Sequence, residues 1–171
     1  MEELADAVAA SREPGRLSPE DERRWYAFGY MLTLLPAALE AQMQQAASIS
    51  HFEFQVMASL SMAKERTRRM SEVAQYTGST LSRLSNAVSR LEKRGWVSRR
   101  PDPADGRCTL ATLTAKGKAK VDAAAPAYVD EVHRLVFDTL TAAQQRQLET
   151  ISHRILRTLQ APCPVDEARH D

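Results

Sequence analysis

Between residues 79 and 93, one face of a helical pattern carries only short hydroxyl, amide and cationic side chains: Ser79, Ser82, Arg83, Asn86, Ser89, Arg90 and Lys93. Those types, recurring at steps of three and four, suit one kind of chemistry. An amide or guanidinium makes paired hydrogen bonds to the edge of adenine or guanine, a cationic group neutralises phosphate, and serine lets a helix come close to a groove. Covalent catalysis needs a nucleophile, a base and oxyanion donors in a recognisable arrangement, and Ser, His and Asp occur here in none, so an enzyme is not expected. The histidines at 51, 133, 153 and 170 and the cysteines at 108 and 163 show no metal-ligand spacing, and neither a zinc site nor a cofactor is expected.

Such a face has to be presented by a turn and backed by a core. Ser71 is a candidate cap for a short helix over residues 72–77, and Gly78 suits a left-handed stop. The next helix, from about Ser79 to Arg94, carries Leu81, Leu84, Val88 and Leu91 as one narrow apolar stripe predicted to be buried. After Gly95 the period changes. Residues 96–100 and 109–113 are short strand-like runs around the turn-forming stretch PDPADGR, which predicts a β-hairpin with a long polar tip. That hairpin and its approach bear Arg94, Arg99, Arg100 and Arg107. A solvated surface helix is the ordinary reading of an isolated Arg/Ser-rich face. A helix-turn-helix followed directly by a basic hairpin has the pattern of a winged helix, and the ordinary reading then loses weight.

The flanks are helical. Ser18, Pro19, Glu20 and Asp21 form a helix start, and the helix runs to about Ala47 with Pro36 predicted to kink it. Its Trp25, Phe28, Leu32, Leu35, Leu39 and Met43, widened by Tyr30, Met31 and Leu34, present more apolar surface than one small domain needs to bury. Ser50 to Glu53 reads as a capping box opening a second helix to about Ala63, and KERTRR (residues 64–69) reads as a basic link. A fifth helix is predicted from Thr114 to Asp138, interrupted at Pro126; Thr141 and Gln144 form a second capping box for a sixth helix ending near Leu159. A loose arm is expected at 1–17 and a disordered tail at 161–171.

Charge layout sharpens the picture. The 171 residues carry a formal charge of only +1. Residues 1–63 hold 4 basic and 9 acidic side chains, residues 64–120 hold 14 and 5, and residues 121–171 hold 5 and 8. A basic middle between acidic ends points to a polyanion bound at the middle. No run approaches the roughly 18–20 apolar residues of a membrane span. The acidic start MEELADAVAA lacks the features of a signal peptide, and two cysteines are too few for a disulfide framework, so a reducing cytoplasm is expected.

The segment SRLSNAVSRLEKRGWVSRRPDPADGRCTLATLTAKG, residues 82–117, resembles the MarR family of winged-helix transcriptional regulators. The resemblance rests on Arg90-Leu91-Glu92, Arg94-Gly95-Trp96-Val97, Asp102-Pro103, Asp105-Gly106-Arg107 and Leu113-Thr114 with Gly117, and extends more weakly from Trp25 to Leu159. It implies a mainly α fold: six helices, a β-hairpin wing, and a helical dimerisation region (18–47 and 115–160) around a winged helix-turn-helix (48–114). It further implies a homodimer, a repressor by family habit, bound to a pseudo-palindromic double-stranded operator. Residues Ser79, Thr80, Ser82, Arg83, Ser85 and Asn86 would enter the major groove. Arg107 matches a wing-tip arginine that reaches the minor groove, and Asp105 matches the acidic residue that orients it. Arg99 and Arg100 would support the wing on DNA, and Arg90 and Lys93 would serve as phosphate or scaffold residues.

The same resemblance implies release by a small aromatic or phenolic ligand, for which Trp25, Tyr26, Phe28, His51 and Phe54 are candidates; aromatic residues at helical spacing are more often core. Alternatives remain open at this level. Cys108 beside Arg107 would suit a redox-responsive regulator, although an inert strand cysteine is the commoner case. A constitutive regulator, or a non-specific architectural winged helix, would share the basic middle.

Overall fold

The computed structural model describes residues 15–159. Most of the expected N-terminal arm, and the whole expected tail with Cys163, lie outside the described residues. Six α-helices and three short strands occur among those described: α1 (Pro19–Ala47), α2 (His51–Ser61), β1 (Thr67–Arg69), α3 (Met70–Tyr76), α4 (Leu81–Lys93), β2 (Val97–Pro101), β3 (Thr109–Leu113), α5 (Ala115–Leu135) and α6 (Ala142–Thr158). The chain forms two units that divide within α1, between Ala38 and Leu39.

In the first unit the helix start is built as its residue types dictate. The Ser18 hydroxyl accepts the Asp21 N–H at 3.1 Å, Pro19 opens the helix, and Glu20, Asp21 and Glu22 sit at its positive end. Pro36 lies inside the helix. No residue from 15 to 38 is buried, so the apolar surplus of Trp25, Tyr26, Phe28, Tyr30, Leu32 and Leu34 stays exposed.

The second unit has a core of Met43, Ile49, Met57, Leu60, Val73, Leu84, Val88, Leu91, Leu113 and Val121, drawn from the second half of α1, the winged helix and the start of α5. Ser50 and Glu53 complete both halves of the predicted capping box, and α2 stops at Ser61 rather than near 63. The supposed basic link is a correction. Residues 64–66 form a 3-10 turn in which Glu65 and Arg66 take left-handed φ values of 52° and 56°. Residues 67–69 are then a strand paired antiparallel with β3, giving the sheet order β1-β3-β2. Three residues are too few to show a period of two, and their charge disguised them. The Thr67 and Thr112 hydroxyls, 2.8 Å apart, mark the pairing.

Because β1 runs straight into α3, the helix begins at Met70, before the Ser71 cap expected from sequence; the Glu72 carboxylate covers the Arg69 N–H at 3.1 Å. Gly78 takes the left-handed φ of 57° that stops α3. Leu81 is a second correction: it is 56% exposed, and Ala87 joins Leu84, Val88 and Leu91 in the buried stripe. Leu81, at the very start of α4, is left uncovered where Leu84 in the same turn is fully buried. Pro126 does not interrupt α5, which continues to Leu135 because Val121 and Ala124 anchor it before the proline; a 3-10 turn (Phe137–Thr139) replaces its expected last residues.

The wing is locked to α5 at one point. Thr114 caps α5 by accepting the Gly117 N–H at 3.0 Å and donates its own hydroxyl to Gly95 O at 2.8 Å. A Cβ on Gly117 would sit 2.1 Å from the Trp96 carbonyl oxygen and 2.7 Å from Leu113 Cδ1. Farther along α5, Tyr128 stacks on His51 at 5.6 Å, and burial pushes the His51 imidazole below the ordinary value, with the Glu40 carboxylate opposing.

Two outcomes are expected. Gly117→Ala forces backbone apart and lowers stability by about 3 kcal/mol, seen as a fall in the urea midpoint. His51 contributes a pH dependence of definite sign: below about 6.5 the unfolded chain binds a proton that the folded chain resists. Stability is therefore full above that value and falls as pH drops through it toward the lowered folded value; His51→Phe flattens this part of the profile in denaturation at about pH 7.5 and about pH 5.5.

Candidate nucleic-acid interface

The turn before α4 is held by side chains. Thr77 donates to Val73 O at 2.8 Å and its hydroxyl lies 3.0 Å from that of Ser79, while the Thr80 hydroxyl accepts the Arg83 N–H at 3.3 Å. Thr80 is thus the cap of α4, and Ser79 belongs to the turn rather than to the helix. On the exposed face of α4, the side chains of Ser82, Asn86 and Lys93 make no hydrogen bond or ion pair with any described residue.

The other polar residues of the helix are occupied. Arg83 lies over the Phe52 ring at 4.3 Å. Arg90 donates from Nε to Glu53 at 2.9 Å, and Arg94 lies 3.6 Å from the other oxygen of the same carboxylate. Glu53 is only 4% exposed and is surrounded by these partners, with the Ser50 N–H donating to it at 3.3 Å. Arg99, expected to support the wing on DNA, reaches back to α4: it bonds Glu92 at 2.9 Å, Ser89 at 3.1 Å and Ser85 at 3.4 Å. Arg99 and Ser85 therefore fix the wing against the helix.

The hairpin divides its work between two aspartates. Asp102, 7% exposed, accepts the Ala104 N–H at 2.9 Å and Arg69 Nε at 2.8 Å. The Ala104 N–H first, and Arg69 after it, hold this carboxyl below the usual carboxylate range. Asp105 faces outward and accepts Arg107 Nε at 3.0 Å and the Arg107 N–H at 3.2 Å, and the same arginine holds its carboxyl low. Arg107 has a side chain 91% exposed, yet its guanidinium is aimed by this pair. Arg100 is exposed on β2. Cys108 is half-buried, with Sγ 3.6 Å from Asp105 Oδ2.

The aromatic candidates for a ligand fall in different places. Trp25, Tyr26 and Phe28 are exposed on the first unit. In the second unit Phe54 is core, 4.8 Å from Tyr128, and His51 has its Nε2 buried without a hydrogen-bond partner among the described residues. Sequence reasoning missed Glu53, Arg69 and Asp102 as the groups that hold the interface in shape. For Glu53 a signal existed: a carboxylate flanked by Phe52 and Phe54, ahead of Val56 and Met57, on a helix that must be buried.

Residues 49–107 match the model of the MarR family. The fold superposes on Sco3205, a MarR family transcriptional regulator from Streptomyces coelicolor solved in complex with DNA. That likeness has 38% identity and a TM-score of 0.81, over 84% of this chain and 94% of that one. AbsC, another MarR family regulator from S. coelicolor, matches at 26% identity and a TM-score of 0.80, over 86% and 99% of the two chains. The transcriptional repressor MprA of Escherichia coli K12 is 29% identical over 118 residues, 69% of this chain and 66% of that protein, so the chain matches just under two thirds of that repressor's length. The winged helix with its aspartate-held arginine, and a likeness spanning nearly the whole of a solved member, place the chain in the MarR family of transcriptional regulators.

Proposed function

We propose that the chain is a DNA-binding transcriptional repressor that holds a pseudo-palindromic operator as a homodimer in the cytoplasm and is released by a small aromatic or phenolic ligand. Members of its family are transcription regulators, not enzymes. The observation that carries the DNA-binding reading is Arg107, exposed at the wing tip but oriented by Asp105, in the same unit as a helix whose Ser82, Asn86 and Lys93 side chains bond no described residue. The relative solved with DNA supports it, and the repressor among the relatives supports the direction of regulation.

In this reading the N-terminal part of α4 enters the major groove, where Asn86 suits adenine, and Lys93 at the other end of the helix suits a phosphate. Arg107 enters the adjacent minor groove, whose negative potential is strongest where A·T pairs narrow it. Arg90 and Arg99 serve as supports because Glu53 and Glu92 occupy them. A two-fold dimer then reads half-sites about 10 bp apart.

The dimer rests on α6. None of its residues is buried, and Leu148, Ile151 and Ile155 lie exposed at helical spacing. An amphipathic helix with its apolar stripe uncovered marks an interaction face. The dimerisation region is α1, α5 and α6, as the resemblance implies. For the ligand, the supporting observation is His51 Nε2, a buried polar atom without a partner among the described residues.

Arg107→Ala leaves the melting temperature unchanged, weakens binding to the chain's own promoter DNA about tenfold, and lowers the salt slope of binding by about one. Unaltered affinity would remove the wing from the interface. Ile151→Arg converts the dimer to a monomer in sedimentation; a dimer that persists with α6 charged would rule out α6 as the seam.

A further inference from the structure

We infer that Leu81 is a specificity-determining residue whose exposed side chain reads the C5-methyl group of a thymine in the major groove. The inference rests on the DNA-binding reading above and adds a base contact to it. Leu81 is the first residue of α4, directly after the Thr80 cap, and is 56% exposed. Its three stripe partners Leu84, Val88 and Leu91 are each fully buried.

A single exposed leucine is ordinary on a protein surface, so its position must decide the matter. The recognition helix of a helix-turn-helix meets base edges with its N-terminal residues, and Leu81 is the first of these. One turn further on, the flank that continues from Leu81 is closed by Arg99, which bonds Ser85, Ser89 and Glu92. The opposite flank is closed by Arg83 over Phe52 and by Arg90 on Glu53. What the N-terminal half of the helix offers to a base is therefore Ser82, Asn86 and Leu81. Among the groups on base edges in the major groove, the one with which an apolar side chain gains is the thymine methyl. Asn86, five residues along the helix, is suited to adenine, so the half-site read by this end of α4 contains A·T pairs.

Uracil in place of thymine removes only the methyl group and keeps the pairing, which permits a direct test. Duplexes are selected from a random library with the wild-type chain, and each thymine of the enriched sequence is then replaced by deoxyuridine in turn. One thymine in each half-site is expected to respond: deoxyuridine there weakens wild-type binding about fourfold, the worth of one buried methyl-sized group. The same replacement leaves the affinity of Leu81→Ala unchanged, while Leu81→Met retains most of the discrimination. A flat uracil scan with the wild-type chain overturns the inference without recourse to any variant. So does a penalty that is equal in wild type and Leu81→Ala at every position, which would make Leu81 a packing residue only. If the wild-type chain enriches no sequence, the DNA-reading function itself falls and this inference with it. An enriched sequence that lacks a Leu81-coupled thymine removes this contact alone.

Discussion

The winged unit depends on one buried charge. The Glu53 carboxylate lies inside a core of Phe54, Val56 and Met57, where an unpaired anion would be strongly unfavourable. It is satisfied from three directions: by the Ser50 N–H at the start of α2, by Arg90 from α4, and by Arg94 where α4 ends. One group therefore sets where α2 begins and how the far end of α4 lies against it. Because the two arginines remain half-exposed, the pair needs no complete desolvation of both partners, which is the costly arrangement for a buried ion pair. The consequence for function is geometric. A helix tethered at its C-terminal end and capped by Thr80 at the other can present Leu81, Ser82 and Asn86 in a fixed register.

The wing uses the same device twice, with opposite aims. Asp102 turns inward and ties the hairpin to Arg69 at the end of β1, so the basic segment once read as a link becomes an edge of the sheet and an anchor of the tip. Asp105 turns outward and orders Arg107 without burying it. An arginine on a loop normally loses much conformational freedom when it binds. One already held by a carboxylate that also accepts its own backbone N–H gives up less of that freedom. Arg99, meanwhile, joins the wing to Ser85, Ser89 and Glu92, so hairpin and helix approach a duplex as one body.

Much of this was legible in residue order because it is local. Helix starts at Ser18, Ser50 and Thr141 follow from side chains that bond N–H groups three residues on, and Gly78 and the PDPADGR turn follow from backbone preference. Arg107 and Asp105 are two residues apart, so their pairing is also local. The misreadings have a common cause in distance. β1 exists because β3, more than forty residues later, supplies its partner, and Pro126 is carried inside α5 because packing before it outweighs one lost hydrogen bond. The bonds of Arg99 to the helix were not legible either, because polarity marks a surface without saying what it meets. Arg99 is committed to Glu92, Ser85 and Ser89 within the fold.

By itself, the sequence determined the class of the protein: a winged helix with a basic middle, a recognition face of small polar residues and a wing arginine with its carboxylate. The winged pattern, the basic middle and the polar face are properties of spacing and composition, while the roles of Arg107 and Asp105 are what the resemblance to the MarR family implies. Only the tertiary structure decided which members of that polar face are free. Glu53 takes Arg90, Glu92 and two serines take Arg99, and Phe52 takes Arg83, leaving Ser82, Asn86, Lys93 and an uncovered Leu81. Periodicity placed Leu81 in the buried stripe, but burial depends on whether a neighbouring element reaches that far, and at the first turn of α4 none covers it.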